Sequence, residues 1–231
     1  MEYSGYIGSG APWRDLPECF GPYTTFYNRF TRWQRAGVWN CIFGAISNYQ
    51  NADVQMIGSS IIRIHQHAAC IKHNETNCTE RSRGGLTTKI HAVVNRNDLH
   101  HRLALANEQP HDSFIAIELM SSLRIKDMFL ADKTFDSDAI RTFASKRGAW
   151  ANISPRNNRK SLICFSPLLY RRRNHVECFF YRIKQGRPIA TRYEKPKVKF
   201  LAIIKLAAIR LWLRDYESTP YLNGAYRVRL K

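Results

Sequence analysis

Between residues 54 and 155, short β-type runs alternate with segments of helical periodicity, and this alternation constrains the chain more than any other feature. The runs VQMIGSSII (54–62), LTTKIHAVV (86–94), RLALA (102–106) and MFLAD (128–132) combine β-branched and apolar residues in strand-length pieces. HDSFIAIELMSSLR (111–124) carries apolar residues at helical spacing, with Asp112 or Ser113 as its cap. FDSDAIRTFASKRG, which follows Asp132, predicts a further helix stopped by Gly148. Three strands, a helix, a fourth strand and a helix give an α/β chain, with a mixed sheet and helices packed against it.

The flanks read as helical. Thr24 or Thr25 is expected to cap a helix carrying Phe26, Tyr27, Phe30 and Trp33 on one face, with Arg29, Arg32 and Arg35 on the other. Those arginines suit either a DNA-contacting unit or an ordinary solvated face. Gly37 is the expected stop, and a second helix follows through Val38, Trp39, Ile42 and Phe43. Beyond residue 155, a basic loop, PRNNRKS, leads to a helix over about Leu168–Gln185. A last helix, from Phe200, is apolar nearly all round, which predicts burial against the sheet.

Charge narrows the function. The chain of 231 residues has a net charge of +18. Residues 1–140 balance 14 basic against 14 acidic side chains, whereas residues 141–231 carry 22 against 4, so the whole excess sits in the last part. A field of that sign attracts polyanions through phosphate contacts and counterion release. Nucleic acid is therefore the expected partner, ahead of a membrane surface. No apolar run is long enough to span a bilayer, since Lys205 and Arg210 interrupt the longest, Phe200 to Leu213. The N-terminus lacks a secretory pattern, and six irregularly spaced cysteines make no disulfide framework; both point to the cytoplasm.

The sharpest chemical pattern lies in LLYRRRNHVECFFYRIKQG. At about 100° per residue, Tyr170, Arg173, Glu177 and Lys184 fall on one helix face, apart from an anchoring face of Val176, Phe179, Phe180 and Ile183. Glu177 is the only carboxylate between Ala139 and Tyr193. It suits an i,i+4 pair with Arg173, worth about 0.3 kcal/mol, or a metal ligand among phosphate-binding cations. Asp132 ends an apolar strand, where ligand groups of α/β sheets gather. Two or three carboxylates holding two Mg²⁺ ions about 4 Å apart are what phosphodiester cleavage requires. A rival set, His65, His67, Cys70, His73 and Cys78, offers Zn²⁺ ligands but matches no standard finger spacing. Arg81, Arg83 and Lys89 around Gly84-Gly85 suit phosphate contact and a solvated turn equally.

Taken together, these residues resemble the DDE transposases of bacterial insertion sequences, in the family conventionally numbered five. Tyr170, Arg173, Glu177 and Lys184 meet that family's Tyr-x2-Arg-x3-Glu-x6-Lys signature without a gap. GAPWRDLP, RSRGGLTTKIHAVV, PHDS, LADKTFDSD, RGAWANI, IATRYEK and FLAIIKLAAIRLWL resemble family segments in family order, from about Gly10 to Arg214. The resemblance implies a small N-terminal helical segment over 1–50, a ribonuclease-H-like DDE domain over 51–215 and a basic tail over 216–231. It implies double-stranded DNA as partner, both the terminal inverted repeats and the target. It also implies a Mg²⁺ (or Mn²⁺) two-metal site for strand cleavage and strand transfer, and no membrane role. A homo-oligomer on DNA and nucleoid association in a bacterial cytoplasm fit the same picture. Asp132 matches the second catalytic aspartate and metal ligand, and Glu177 the catalytic, metal-binding glutamate. Tyr170, Arg173 and Lys184 match accessory residues that contact DNA phosphates or orient the glutamate.

One family position is not met. In MIGSSIIRIHQHAA the first catalytic aspartate is replaced by Gly58, and Asp53, five residues earlier, is expected to face the other side of the strand. Only nine residues precede GAPWRDLP, as expected of a degenerate, N-terminally truncated copy. The alternative to an active transposase is therefore a catalytically inactive DNA-binding remnant. Gly58→Asp is the change expected to refill the site.

Overall fold

The computed structural model describes residues 12–48, 54–69, 80–82, 85–95, 100–106, 112–121 and 128–217. Among these, the strands are β1 (Val54–Ile64), β2 (Glu80–Ser82), β3 (Gly85–Asn95), β4 (His100–Leu105), β5 (Met128–Ala131), β6 (Trp150–Ile153) and β7 (Thr191–Arg192). β3 pairs antiparallel with β1, from Gln55↔Asn95 to Arg63↔Thr87, and β4 pairs antiparallel with β3. On the far side of β1, β5 lies parallel to it, and β6 lies parallel to β5. The main strands thus run β4-β3-β1-β5-β6, with β3 alone reversed. The short strands β2 and β7 extend the far edges of β3 and β1. This is the mixed sheet flanked by helices expected of an α/β chain.

The strand period of two sorts the core into halves. Met56 and Ile62 of β1, Ile90, Ala92 and Val94 of β3, and Leu130 of β5 face one apolar cluster. Ile57, Val93, Phe129, Ala131 and Ile153 face the other. The second cluster is closed by α3 (Asp112–Ser121) and α4 (Asp138–Lys146), supplying Ile115, Leu119, Ile140 and Ala144. The first is closed by α1 (Tyr23–Arg35), α2 (Val38–Asn48), α6 (Asn174–Lys184) and α8 (Lys197–Glu217). α8 buries Phe200, Ile203, Ile204, Ala208 and Ile209 there, as its all-round apolar character requires. Phe30, Trp39 and Phe43 share that cluster, so the N-terminal helices pack into the body of the protein. Among the described residues, no helix is long and apolar enough to cross a membrane.

Some local expectations change. α1 starts at Tyr23 behind an extended Pro22 and has no side-chain cap, so Thr24 and Thr25 lie inside its first turn. Proline pre-sets an extended N-cap, which makes the threonine caps unnecessary. Gly37, at φ 73°, and Gly148, at φ 74°, do stop their helices, because a left-handed residue at that point is cheap only for glycine. The helix expected over 168–185 is three pieces: α5 (Pro167–Tyr170), a 3₁₀ turn over Arg171–Arg173, and α6. A further short helix, α7 (Arg187–Ala190), precedes β7.

Candidate functional site

The site is built where β5 ends alongside the middle of β1. Their parallel register runs to Ile57↔Ala131, so Gly58 and Asp132 are the next residues along neighbouring strands. Continued past Leu130, the period of two puts Asp132 on the face covered by α6. Asp132 is extended, and its Oδ1 accepts a 2.7 Å hydrogen bond from Thr134 N, which fixes the carboxylate at the head of a 3₁₀ turn. α6 crosses this end of the sheet with Val176, Phe179, Phe180 and Ile183 buried beneath it. Glu177 follows Val176, which lies over Gly58, and its side chain is half exposed.

The signature residues form a chain of contacts. Arg173 Nη2 lies 2.9 Å from Glu177 Oε1, and its guanidinium sits 5.7 Å from the centre of the Tyr170 ring. Tyr170 meets Phe165 edge-on. Lys184 is separated from these three. Its Nζ donates to Ser60 Oγ at 2.6 Å and to Ile61 O at 3.1 Å, tying the end of α6 to β1. Burial pushes the Lys184 ammonium below its usual range, and the charge of Glu177 draws it partly back. Tyr170, Arg173 and Glu177 are thus brought together, while Lys184 fastens the helix to the strand that carries Gly58.

Two groups that sequence reasoning missed hold this arrangement. Asn152 on β6 is fully buried; its Nδ2 donates to Ser166 O at 3.1 Å and its Oδ1 accepts from Ser166 N at 2.9 Å. Ser166 in turn caps α5, so a single amide anchors the start of the segment leading to Glu177. Asp136, four residues after Asp132, is buried as well. It accepts from Arg141 Nε and from Arg156 N, both at 2.9 Å, and Arg159 Nη1 lies 3.4 Å away. Arg141 also donates to Ala151 O and Ile153 O on β6, and Arg156 to Lys133 O and Thr134 O. The basic loop after β6 is thereby folded over the residues that follow Asp132. A period-two pattern would have placed Asn152 on the α6 face had β6 been recognised; nothing in the sequence marks Asp136.

The donor set does not fit two divalent cations. Two such ions about 4 Å apart need an anion between them. The position beside Asp132 that would supply it is Gly58, and the space there is apolar. A Cβ on Gly58 would lie 2.4 Å from Val176 Cγ1 and 3.6 Å from Phe180 Cε2. Among the described residues, no three His, Cys, Asp or Glu side chains gather closely enough to hold a metal. Asp53 and three of the five zinc candidates, Cys70, His73 and Cys78, lie outside the described residues. His65 and His67 contact one another ring to ring, with centroids 4.7 Å apart.

The contact at Gly58 has a measurable consequence. Val176 is β-branched and locked in a buried helix, so it cannot swing away. Any side chain at 58 must lift α6 or distort β1, at a cost of about 1–3 kcal/mol typical of overpacking. Gly58→Ala and Gly58→Asp should both lower the melting temperature, by about 2–4 °C per kcal/mol for a chain of this size. Calorimetry or circular dichroism would show it, and an unchanged melt for both variants would mean that α6 is not seated on β1 as described. Because Glu177 rides on α6, refilling position 58 also moves the glutamate it is meant to work with.

Residues 51–212 match the family described as "Transposase DDE domain", and residues 6–43 match one described as "Putative transposase of IS4/5 family". The chain is 36% identical over 130 residues to the "Putative transposase for insertion sequence element IS6501" of Brucella ovis, covering 56% of this chain and all of that protein. It is 41% identical over 61 residues to "Uncharacterized protein y4sN" of Sinorhizobium fredii, covering 26% of this chain and 49% of the other. Among solved structures, it resembles a piggyBac transposase synaptic complex with hairpin DNA, at a TM-score of 0.42 and 11% identity, over 90% of this chain and 63% of that one. It also resembles the Mos1 strand transfer complex, at a TM-score of 0.37 and 12% identity, over 97% and 78% of the two chains. At these scores no feature of either complex transfers to this chain.

Proposed function

The chain belongs to the DDE transposases of insertion sequences, and from that membership we propose that it binds the terminal inverted repeats of its element and target DNA. Membership also implies a divalent-metal-dependent mechanism of strand cleavage and strand transfer. The observation that supports the reading is the register of β1 and β5, which sets Asp132 beside position 58, with Val176, the neighbour of Glu177, against that position. Asp132 stands beside position 58, and Glu177 rides on the helix packed against position 58. In this reading Asp132 and Glu177 are the surviving carboxylates of the DDE set. Arg173 holds Glu177 in place, and Tyr170 supports Arg173. Lys184 fixes the helix on β1. The exposed Arg171 and Arg172, on the turn just before α6, supply positive charge beside the site for DNA phosphates.

A second reading, binding without cutting, is favoured by the glycine and the apolar wall at position 58. Both readings require duplex DNA to be held largely by phosphate contacts. The logarithm of the association constant for duplex DNA should therefore fall linearly with log salt, with a slope of about −0.9 for each phosphate neutralised. A titration of the full chain at several salt concentrations measures this. A flat response would remove the electrostatic basis of both readings.

A further inference from the structure

The misfit at position 58 comes down to one methyl group. The three atoms nearest to a Cβ placed on Gly58 are Val176 Cγ1, Val176 Cβ at 3.4 Å and Phe180 Cε2 at 3.6 Å. The last two are ordinary van der Waals neighbours. Only Cγ1 overlaps the added atom, so a residue on α6 that ends at Cβ would leave room for a side chain on β1.

That methyl cannot be moved aside. Valine in a helix holds essentially one χ1 rotamer, and Val176 is fully buried. Phe179, Phe180 and Ile183, each 2% exposed or less, seat the rest of α6 on the sheet. Lys184 fastens the last residue of the helix to Ser60 and Ile61, just beyond Gly58 on the same strand. The other ligand position is in order. Gly58 and Asp132 continue the parallel register of Ile57↔Ala131, on strands about 4.8 Å apart, and both lie on the α6 face. Carboxylates on neighbouring strands at that spacing are close enough to share one divalent cation. Position 58 is therefore not simply short of a ligand: the space for that ligand is occupied.

We propose that Val176 is the residue that closes the metal site of this chain. Its Cγ1 fills the place of the side chain that position 58 lacks, so the glycine and the valine are fitted to each other. A carboxylate at 58 can then hold a divalent cation with Asp132 only when Val176 is cut back as well. The proposal rests on the reading of position 58, Asp132 and Glu177 as the DDE set, and it says why one reversion does not reopen that set.

Two measurements on the full chain test it. In melts followed by circular dichroism, Gly58→Ala alone should lower the melting temperature by overpacking, and Val176→Ala alone by leaving a cavity. Each change relieves the other, so Gly58→Ala/Val176→Ala should fall by clearly less than the sum of the two shifts. Additive shifts would overturn the proposal. Mn²⁺ titration followed by electron paramagnetic resonance reads the site itself. Gly58→Asp/Val176→Ala should bind the ion about tenfold or more tightly than the parent or either single variant, and adding Asp132→Ala should remove the gain. A folded double variant that binds no better than Gly58→Asp would overturn the proposal. So would Gly58→Asp binding as tightly as the double variant, since the wall would then have yielded unaided. Should Gly58→Asp fail to fold, the alanine pair still decides whether the two positions are fitted. A gain that survives Asp132→Ala would overturn the reading of Asp132 as a surviving ligand, a failure that the melts tell apart from a failure of the Gly58–Val176 fit.

Discussion

The purified chain, supplied with Mg²⁺ or Mn²⁺, is expected to leave DNA carrying its element's own ends uncut above background. The reason is electrostatic. Two divalent cations about 4 Å apart repel strongly unless a carboxylate lies between them, and the position expected to supply it is 58. Here the position is glycine, and Val176 and Phe180 fill the space its side chain would occupy. Glu177 is held by Arg173 and Asp132 by Thr134 N, and neither takes the place of the missing group. Gel analysis of end-labelled DNA settles the matter when the parent is run beside Asp132→Ala. The two should be indistinguishable. Cleavage by the parent that disappears in Asp132→Ala would show that the remaining carboxylates suffice. Gly58→Asp, which sequence reasoning alone offers as the repair, carries the added cost of displacing Val176, and any nicking it restores should come with a lowered melting temperature.

The parts legible in the sequence are those whose signal is local. β1, β3 and β5 are apolar runs bounded by polar segments, and they appear within two residues of where composition puts them. The signature residues were legible by spacing, and three of the four do meet. Lys184 shares their arc on an ideal helix, but it lies two turns beyond Glu177, where β1 is the nearest surface and Ser60 its hydrogen-bond partner. What was hidden depends on neighbours far along the chain. β6 has only four residues, too few for its alternation to stand out, and it is a strand because β5 lies beside it. The arginine-rich region read as a uniform field for DNA, yet several of its charges are internal. Arg192 is 1% exposed and spends its donors on Thr88 Oγ1, Glu194 O and Lys195 O. Arg141, Arg156 and Arg159 are drawn to Asp136 and to backbone carbonyls. Net charge counts these groups; only the fold says which of them remain for phosphates.

Asp136 is where the largest loss of stability is expected. Its side chain is fully buried, and the side chains of Arg141 and Arg159 beside it are 13% and 15% exposed. Removing the carboxylate in Asp136→Ala leaves buried positive charge uncompensated, at a cost of about 3–5 kcal/mol. For a chain of this length, that lowers the melting temperature by on the order of 10 °C. Asp136→Asn keeps an acceptor for Arg156 N and should fall between the two. The pH dependence follows from the same contacts. Burial pushes the Asp136 carboxyl up, but the hydrogen bonds from Arg156 N and Arg141, with the charges of Arg141 and Arg159, outweigh it and hold the group below its ordinary range. The carboxylate's contribution is therefore fully present above the unfolded value, about 3.9, and is lost as pH falls from there through the lower folded value. Denaturation measured from neutral pH to below 4 should show a steeper acid loss in the parent than in Asp136→Asn, which has no proton to take up at that site. Parallel acid limbs would mean that the carboxylate is not ionised in the folded protein. The effect would extend to the site, because Asp136 binds the loop after β6 to the turn that begins at Asp132. A variant that melts early but still binds duplex DNA with the parent's salt slope would separate that structural duty from the phosphate contacts.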